Sequence, residues 1–411
     1  MLDVEKIRED FPVLKRKIRN KPIIYLDNSC MALKPKQVIE AMNKYYYEFP
    51  ACGGRSIHTL GEEVSESYEK ARESFAKFIG ATHNEIIWTR NATESINLVA
   101  NALDFKKGQK IVSTTLEHHS GVLPFYKLQK TKGVKLELVR AQPDGTFDIS
   151  DWEKAIDENT RLVSVVHASN VTGTVAPLEE IIKIAHEHNA LVLSDDAQFA
   201  PHHPMDVKKS DVDFSAISIH KMLGPSGMGA LYGKRKLLEE MDTFLVGGDT
   251  ISDVKLIDNN QLEVKFLPPP EKYEAGLQNY AGVIGAGAAA EYLMKIGVKN
   301  IEEWEQKLAR LLADELQKID KIHIIGPTDE RRQAGLVTFT VDGITSAHDV
   351  AMYLDQEYNI MVRSGAHCVN PFHYQIGIKP AKGTTRASAY LYNTEDEIYT
   401  LVNALKKLVG E

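Results

Sequence analysis

Cysteine is scarce in this sequence of 411 residues, where it occurs only as Cys30, Cys52 and Cys368, with no CxxC pair. This scarcity argues against a disulfide scaffold and against a Cys-rich structural zinc site, and we expect no bound metal. An excess of positive charge is also absent, because 49 Lys and Arg stand against 57 Asp and Glu, for a formal net charge of −8. The composition therefore disfavours a general nucleic-acid-binding protein.

Long apolar runs are missing as well. No apolar stretch approaches the ~18 residues that a membrane-spanning helix needs, and the charged N-terminal segment is unlike a signal peptide. We therefore expect a cytoplasmic protein that has no membrane partner. The hydrophobic content of 43% is nevertheless sufficient for a sizeable core.

From about residue 85 onward, short β-rich runs alternate with helical runs. Examples are EIIWT before TESINLVANAL, and LVSVV before PLEEIIKIAHEHN. This alternation predicts crossover units, and hence a mainly parallel sheet with helices on both faces. In such sheets, ligands bind at the carboxyl ends of the strands. Residues 246–280 show little periodicity, and we expect them to form a surface loop.

Reactive side chains follow several of these strands. Ala92 and Thr93 come after EIIWT, where a helix start can bind a phosphate, although a simple Thr N-cap is the alternative. His118 follows KIVSTT and could either stack on an aromatic ligand or be structural. Asp195 ends LVLSD, where a carboxylate needs solvent or a cation. Lys221 follows FSAIS in an apolar setting that would lower the pKa of its amine, unless it is a solvated loop lysine.

A phosphate cradle, an imidazole, an acid and a lysine in this order describe a site for pyridoxal 5′-phosphate (PLP). The lysine would hold the cofactor covalently, and the acid would keep its pyridine nitrogen protonated. A carboxylate about 4 Å from a pyridinium contributes roughly 4 kcal/mol at an effective dielectric constant of ~20. That energy is sufficient to keep the ring an electron sink near neutral pH.

The sequence resembles the class V aminotransferase-like group of PLP enzymes, and within it the Suf-type (type II) cysteine desulfurases. The likeness runs from about Tyr25 to Asn393 and is carried by YLDN, RSIHTL, TESINLVAN, EHH, SNVTGT, DDAQ, SIHKMLGPSGMGALYG, YEAG, VRSGAHC and RASAYLYNT. It implies an α/β protein of PLP-dependent transferase fold type I. We then expect a large PLP-binding domain (30–285) with a mainly parallel seven-stranded sheet, and a small α+β domain (1–29 and 286–411).

By position in these motifs, the resemblance implies a role for each site residue. Lys221 would carry PLP, with Asp195 at its pyridine nitrogen and Gln198 at its phenolic oxygen. The other cofactor-binding residues would be His118, stacked on the ring, Asn170 near the phenolic oxygen, and Ala92, Thr93, Ser218 and His220 at the phosphate. The substrate carboxylate would be bound by Arg386, with Asn170, Arg363 and Arg55 lining the approach and with His58 nearby.

Cys368 lies in the loop after IMVR, beside Arg363 and His367, a setting that favours a reactive thiol over a packing residue. The resemblance implies that it receives sulfur from L-cysteine as a persulfide and leaves L-alanine. Only residues 369–385 separate Cys368 from Arg386, and this short loop is similar to that of type II enzymes. The resemblance thus implies a homodimer that passes sulfur to an acceptor protein for iron–sulfur cluster or related assembly.

Several positions depart from the family pattern and leave the substrate open. They are Ser29-Cys30-Met31, Cys52-Gly53-Gly54, Asp196, and Leu277, where a Thr commonly reaches the neighbouring subunit's phosphate. For Cys30, packing is favoured over a second reactive thiol. The alternatives to cysteine desulfuration are a selenocysteine lyase acting on L-selenocysteine, another lyase on the same scaffold, and a PLP-binding interaction subunit with little turnover.

Overall fold

A computed structural model describes residues 2–411. The helices are α1 Val4–Arg8, α2 Lys36–Glu48, α3 Thr59–Phe78, α4 Ala92–Ala102, α5 His119–Lys132, α6 Ile149–Ala155, α7 Leu178–Glu187, α8 Val207–Ser210, α9 Arg235–Glu240, α10 Tyr280–Ile296, α11 Val298–Leu316, α12 Ala347–Tyr358, α13 Asn370–Gln375 and α14 Glu395–Val409. The strands are β1 Lys17–Ile18, β2 Lys21–Pro22, β3 Ile24–Tyr25, β4 Ile86–Thr89, β5 Lys110–Thr114, β6 Lys135–Val139, β7 Thr160–Val166, β8 Leu191–Asp195, β9 Phe214–Ser218, β10 Gly229–Gly233, β11 Ile251–Ile257, β12 Gln261–Phe266, β13 Ile322–Ile325, β14 Leu336–Val341, β15 Ile360–Met361, β16 Arg363–Gly365 and β17 Thr384–Ser388.

The central sheet has seven strands in the order β4-β10-β9-β8-β7-β5-β6. The run from β9 to β6 is parallel, whereas β10 is antiparallel to both of its neighbours. Strands β5, β9 and β10 are buried along their whole length, as expected where helices cover both faces of a sheet. The predicted mainly parallel sheet is confirmed.

A second, antiparallel sheet has the order β13-β14-β17-β16. It packs with α11, α12 and α14 around its own apolar cluster, which also takes in Ile24 and Leu26 from the N-terminal segment. Helix α10 instead packs against α2 and α3, outside the cluster around the small sheet. We propose the two-part division of the chain with its boundary at the end of α10 rather than at residue 285, which would cut that helix.

The expectation of a loop over residues 246–280 is wrong in part. Strands β11 and β12 form an antiparallel hairpin there, with Val254 opposite Val264 and Leu256 opposite Leu262. Apolar and charged residues do alternate along both strands, which is the pattern of a hairpin with one apolar face. These four apolar residues belong to none of the apolar clusters within residues 2–411, and they are exposed.

Within residues 2–411, no single helix is both long enough and apolar enough to span a membrane. Helices α10 and α11 reach that length and apolarity only together, and they are bent by 76° at their junction.

Candidate active site

A cavity of about 350 Å³ opens where the carboxyl ends of β7, β8 and β9 meet. It brings together twelve of the thirteen predicted site residues: Ala92, Thr93, His118, Asn170, Asp195, Gln198, Ser218, His220, Lys221, Arg363, Cys368 and Arg386. Arg55 does not line it, since its side chain is 81% exposed and pairs with Asp249 on the surface. The roles assigned to these residues from the resemblance stay predictions.

Lys221 and Asp195 form the electrostatic centre of this cavity. Burial lowers the pKa of the Lys221 amine to about 8, although the nearby Asp195 opposes this shift. Burial also raises the pKa of Asp195 to about 6, again with Lys221 acting in the opposite direction. An amine that deprotonates near pH 8 is a usable nucleophile, and a buried acid is stabilised by a cationic partner.

The start of α4 forms a candidate anion site. The N-cap is Asn91, whose side chain accepts from the backbone N–H of Glu94 at 3.0 Å, so the alternative of a Thr93 N-cap is wrong. The Ser218 hydroxyl accepts from the Ala92 N–H at 3.1 Å and ties α4 to the end of β9. Gly229 makes this approach possible, because a Cβ there would lie 2.5 Å from Asn91 Cα. Backbone N–H groups at a helix start favour a phosphate.

His118 follows β5, as expected, and is the N-cap of α5. Its Nδ1 lies 2.9 Å from Ser120 Oγ, and Ser120 Oγ lies 2.7 Å from Thr93 Oγ1, so one hydroxyl links the imidazole to the start of α4. Burial lowers the pKa of His118 to about 4, which keeps the ring neutral. A neutral imidazole at a cavity wall can stack on an aromatic ring. Ser120 was not identified from the sequence.

Glu117 is a second residue that the sequence reasoning missed. Its carboxyl group is buried and accepts from Val166 N at 2.8 Å and from Thr114 Oγ1 at 2.9 Å. These bonds join the carboxyl ends of β5 and β7 directly before His118. The sequence signal for Glu117 is an acidic residue that closely follows an apolar strand, because a carboxylate buried there needs hydrogen-bond partners.

The polar groups of this cavity fit PLP. Asn170 Oδ1 and Arg386 Nε are buried polar atoms without a hydrogen-bond partner among residues 2–411. Buried polar groups are normally paired, so unpaired ones on residues that line a cavity suit a polar ligand there. The buried Asp195 suits a pyridinium, and Gln198 is fixed beside it by donating to Ser29 O at 2.7 Å. Within residues 2–411, no group of His, Cys, Asp or Glu is placed to hold a metal ion.

Two arginines enter the cavity from the small sheet. Arg363 and Arg386 lie opposite each other on β16 and β17, and Asp27 pairs with both, at 2.6 Å from Arg363 Nη2 and 3.5 Å from Arg386 Nη2. Arg386 is only 3% exposed and also donates to Asn170 O at 3.0 Å. Paired guanidinium groups of this kind suit a substrate carboxylate.

Cys368 lies on a strained loop. Both His367 and Cys368 have positive φ, of 50° and 59°, a region that residues other than glycine seldom adopt. The loop is held by Asn170 Nδ2, which donates to His367 O at 2.9 Å, and by the His119 N–H, which donates to Cys368 O at 2.8 Å. The Cys368 side chain is exposed at the cavity mouth. Strain maintained by specific bonds at such a place is typical of a functional site.

Cys30 lines the same cavity and is half-buried, and the preference for a packing role over a second reactive thiol stays a prediction. Asp196, another departure from the family pattern, faces away from this cavity. Its carboxylate lies 2.5 Å from His167 Nδ1 and accepts from Ser215 Oγ. Asp195 is therefore the acid of the cavity, as the sequence predicted.

Comparisons with known proteins place this geometry in a family. The family model "Aminotransferase class-V" matches residues 24–401. A probable cysteine desulfurase of Halalkalibacterium halodurans is 41% identical over 99% of this chain and 98% of its own length. A cysteine desulfurase of Haloferax volcanii is 38% identical over 98% and 96%. The chain belongs to the class-V aminotransferase family, whose cofactor is PLP. Within that family it is an enzyme of the cysteine desulfurase group, close to the type II members.

Solved structures agree with this assignment. The apo structure of the cysteine desulfurase from Thermococcus onnurineus NA1 superposes with a TM-score of 0.93 at 39% identity, covering 100% of this chain and 98% of the other. The Escherichia coli cysteine desulfurase CsdA, in an S-sulfonic acid form, gives a TM-score of 0.89 at 32% identity, covering 100% and 99%. The expected fold and family are thereby confirmed.

Proposed function

We propose that this chain converts L-cysteine to L-alanine and takes the substrate sulfur onto Cys368 as a persulfide. The observation that carries the proposal is one cavity in which Lys221, the arginine pair and Cys368 all face the same space. PLP supplies there an electron sink for the carbanion at the substrate Cα. The overall reaction breaks the substrate C–S bond and forms a new S–S bond at Cys368, so it needs no external oxidant.

Different residues of the cavity are assigned to different parts of the cofactor. Lys221 would provide the amine that attaches PLP, and Asp195 would keep the pyridine nitrogen protonated. The N–H groups at the start of α4, together with Thr93, Ser218 and His220, would bind the phosphate. His118 would stack on the ring, and Gln198 and Asn170 would bind its phenolic oxygen.

Arg386 binds the substrate carboxylate, and Arg363 assists it from β16. This binding aims the substrate side chain at the loop that carries Cys368. Lys221, whose amine is neutral above about pH 8 before cofactor attachment, moves the proton from the substrate Cα. Cys368 then accepts the sulfur at the cavity mouth, where its exposure lets a second protein reach it. We infer an acceptor protein as the physiological outlet for the sulfur.

A homodimer is the second part of the proposal. The β11–β12 hairpin exposes Val254, Leu256, Leu262 and Val264 on one face, because these residues form directly opposite pairs. Its other face is charged, with Asp253 opposite Lys265 and Lys255 opposite Glu263. An exposed apolar face of this kind favours a partner that covers it. We assign a second copy of this chain as that partner and place Arg55, near the hairpin, at the interface.

A comparison of two substrates distinguishes cysteine desulfuration from selenocysteine lyase activity. The holoenzyme is incubated with L-cysteine and with L-selenocysteine, and alanine is measured for the wild type and for Cys368→Ser. Desulfuration predicts alanine from L-cysteine that is lost in Cys368→Ser. Turnover of L-selenocysteine alone, unaffected by the substitution, supports a selenocysteine lyase. Cofactor binding with no alanine from either substrate supports an interaction subunit.

A further inference from the structure

The active-site cavity contains two thiols, those of Cys30 and Cys368. Both are close enough to Lys221 to act on the charge of its amine. Cys52, the third cysteine of the chain, lies outside the cavity, and its Sγ is 3.9 Å from Tyr280 Oη. The chain therefore offers one matched cysteine that is not part of the site.

The thiol of Cys30 lies near three cationic side chains. Arg363, Arg386 and Lys221 are all within electrostatic range of its sulfur. Its backbone N–H donates to Asp27 O at 3.1 Å and fixes the turn, whereas its Sγ has no hydrogen-bond partner within residues 2–411.

A second observation concerns the polar groups of the same cavity. Arg386 Nε and Asn170 Oδ1 are buried without a hydrogen-bond partner among residues 2–411, and both residues line the same cavity as the two thiols. Cys30 therefore lines a cavity whose polar groups suit a polar ligand, and it is only half-buried there.

We propose that Cys30 is a second sulfur-carrying residue, which takes the sulfane sulfur from the Cys368 persulfide; this inference rests on the proposed function of Cys368. The Cys30 thiolate attacks the outer sulfur of the Cys368 persulfide, the S–S bond at Cys368 breaks, and Cys368 leaves as a thiolate. The proton lost by Cys30 returns to Cys368. The exchange involves no net oxidation and needs no other reactant.

The exchange places sulfur in a more sheltered position. Cys368 is exposed, whereas Cys30 is half-buried. A persulfide on Cys30 would be better protected from solvent thiols, and it would free Cys368 for another turnover. Each subunit then stores two sulfur atoms when no acceptor is present.

Persulfide mapping tests this proposal. The holoenzyme is treated with L-cysteine without reductant, thiols are alkylated, and each cysteine peptide is analysed by mass spectrometry. We expect the mass of one extra sulfur on the Cys30 peptide in wild type and Cys52→Ser, and its absence in Cys368→Ser. The alanine burst is expected to fall from about two equivalents per subunit to about one in Cys30→Ser and in Cys30→Ala. Thermal unfolding of each variant checks that it is folded.

The other possible results distinguish a failure of the Cys30 proposal from a failure of the proposed function. Sulfur on Cys368 alone, with equal bursts in wild type and Cys30→Ser, overturns the role of Cys30 and leaves the proposed function intact. Sulfur on Cys30 that persists in Cys368→Ser overturns the transfer, because Cys30 then receives it directly from the substrate. No sulfur on either residue, with no alanine formed, overturns the proposed function itself.

Discussion

The carboxylate of Asp27 accepts a 2.6 Å hydrogen bond from Arg363 Nη2 and lies 3.5 Å from Nη2 of Arg386. One acid thus holds both guanidinium groups that we assign to the substrate. Asp27 is joined to β17 by a bridge to Ser388, so this clamp also links the N-terminal segment to the small sheet.

Replacing Asp27 with Asn should weaken substrate binding. The arginines lose a charge-assisted partner worth ~1.5–3 kcal/mol, so KM for L-cysteine should rise about tenfold or more. The turnover number should change less, because Asp27 does not reach the thiol loop. Steady-state kinetics over a range of L-cysteine concentrations measure both values. A fall in kcat at unchanged KM would contradict this role.

The amine of Lys221 should react at a lower pH than an ordinary lysine. Burial lowers its pKa to about 8 in the cofactor-free protein, so the amine is a protonated, unreactive ammonium below that pH and a nucleophile above it. Labelling with an amine-reactive reagent, mapped by mass spectrometry, should show a midpoint near pH 8 at Lys221. A midpoint near the usual lysine value of ~10.4 would rule out the proposed lowering.

The buried ion pair between Arg72 and Glu274 should be important for stability. Arg72 is 2% exposed and bonds both carboxylate oxygens of Glu274, at 2.8 and 2.9 Å. Arg72→Ala leaves that carboxylate buried without its cationic partner, with only the bonds from Tyr68 Oη and Trp88 N, which costs about 3–5 kcal/mol of unfolding free energy. Lys154→Ala removes a pair whose lysine is 73% exposed and should cost under ~1 kcal/mol. Denaturant unfolding compares the two, and equal losses would refute the argument.

Charge on the apolar face of the hairpin should separate the subunits. Leu256→Lys and Leu262→Lys place ammonium groups where the side chains are now 73% and 62% exposed. We expect sedimentation to show a monomer for the double variant and a dimer for the wild type. Met352→Lys, at a 54% exposed position on α12, is the control and should stay dimeric. A double variant that sediments like the wild type argues against this interface.

The sequence predicted the large sheet and most of the cavity for a local reason. Apolar strands followed directly by Asp195 or Lys221 are readable from neighbouring residues, and parallel strands bring their ends to one edge. The β11–β12 hairpin was missed, although apolar and polar residues alternate along it. Such alternation normally marks a strand with one face in a core, whereas the apolar residues of this hairpin, such as Leu256, are exposed. The Asp27 clamp was not predictable, since Arg363 is 336 residues away. Such partners are set by tertiary packing and not by local pattern.

The most direct measurement of the central claim follows one sulfur atom. The holoenzyme is given limiting L-cysteine, alanine is quantified, and the Cys368 peptide is examined for added sulfur by mass spectrometry in wild type and Cys368→Ser. The account predicts alanine together with enzyme-bound sulfur that requires Cys368, while the variant keeps the visible absorption of bound PLP. Alanine formed at an undiminished rate by Cys368→Ser would contradict it.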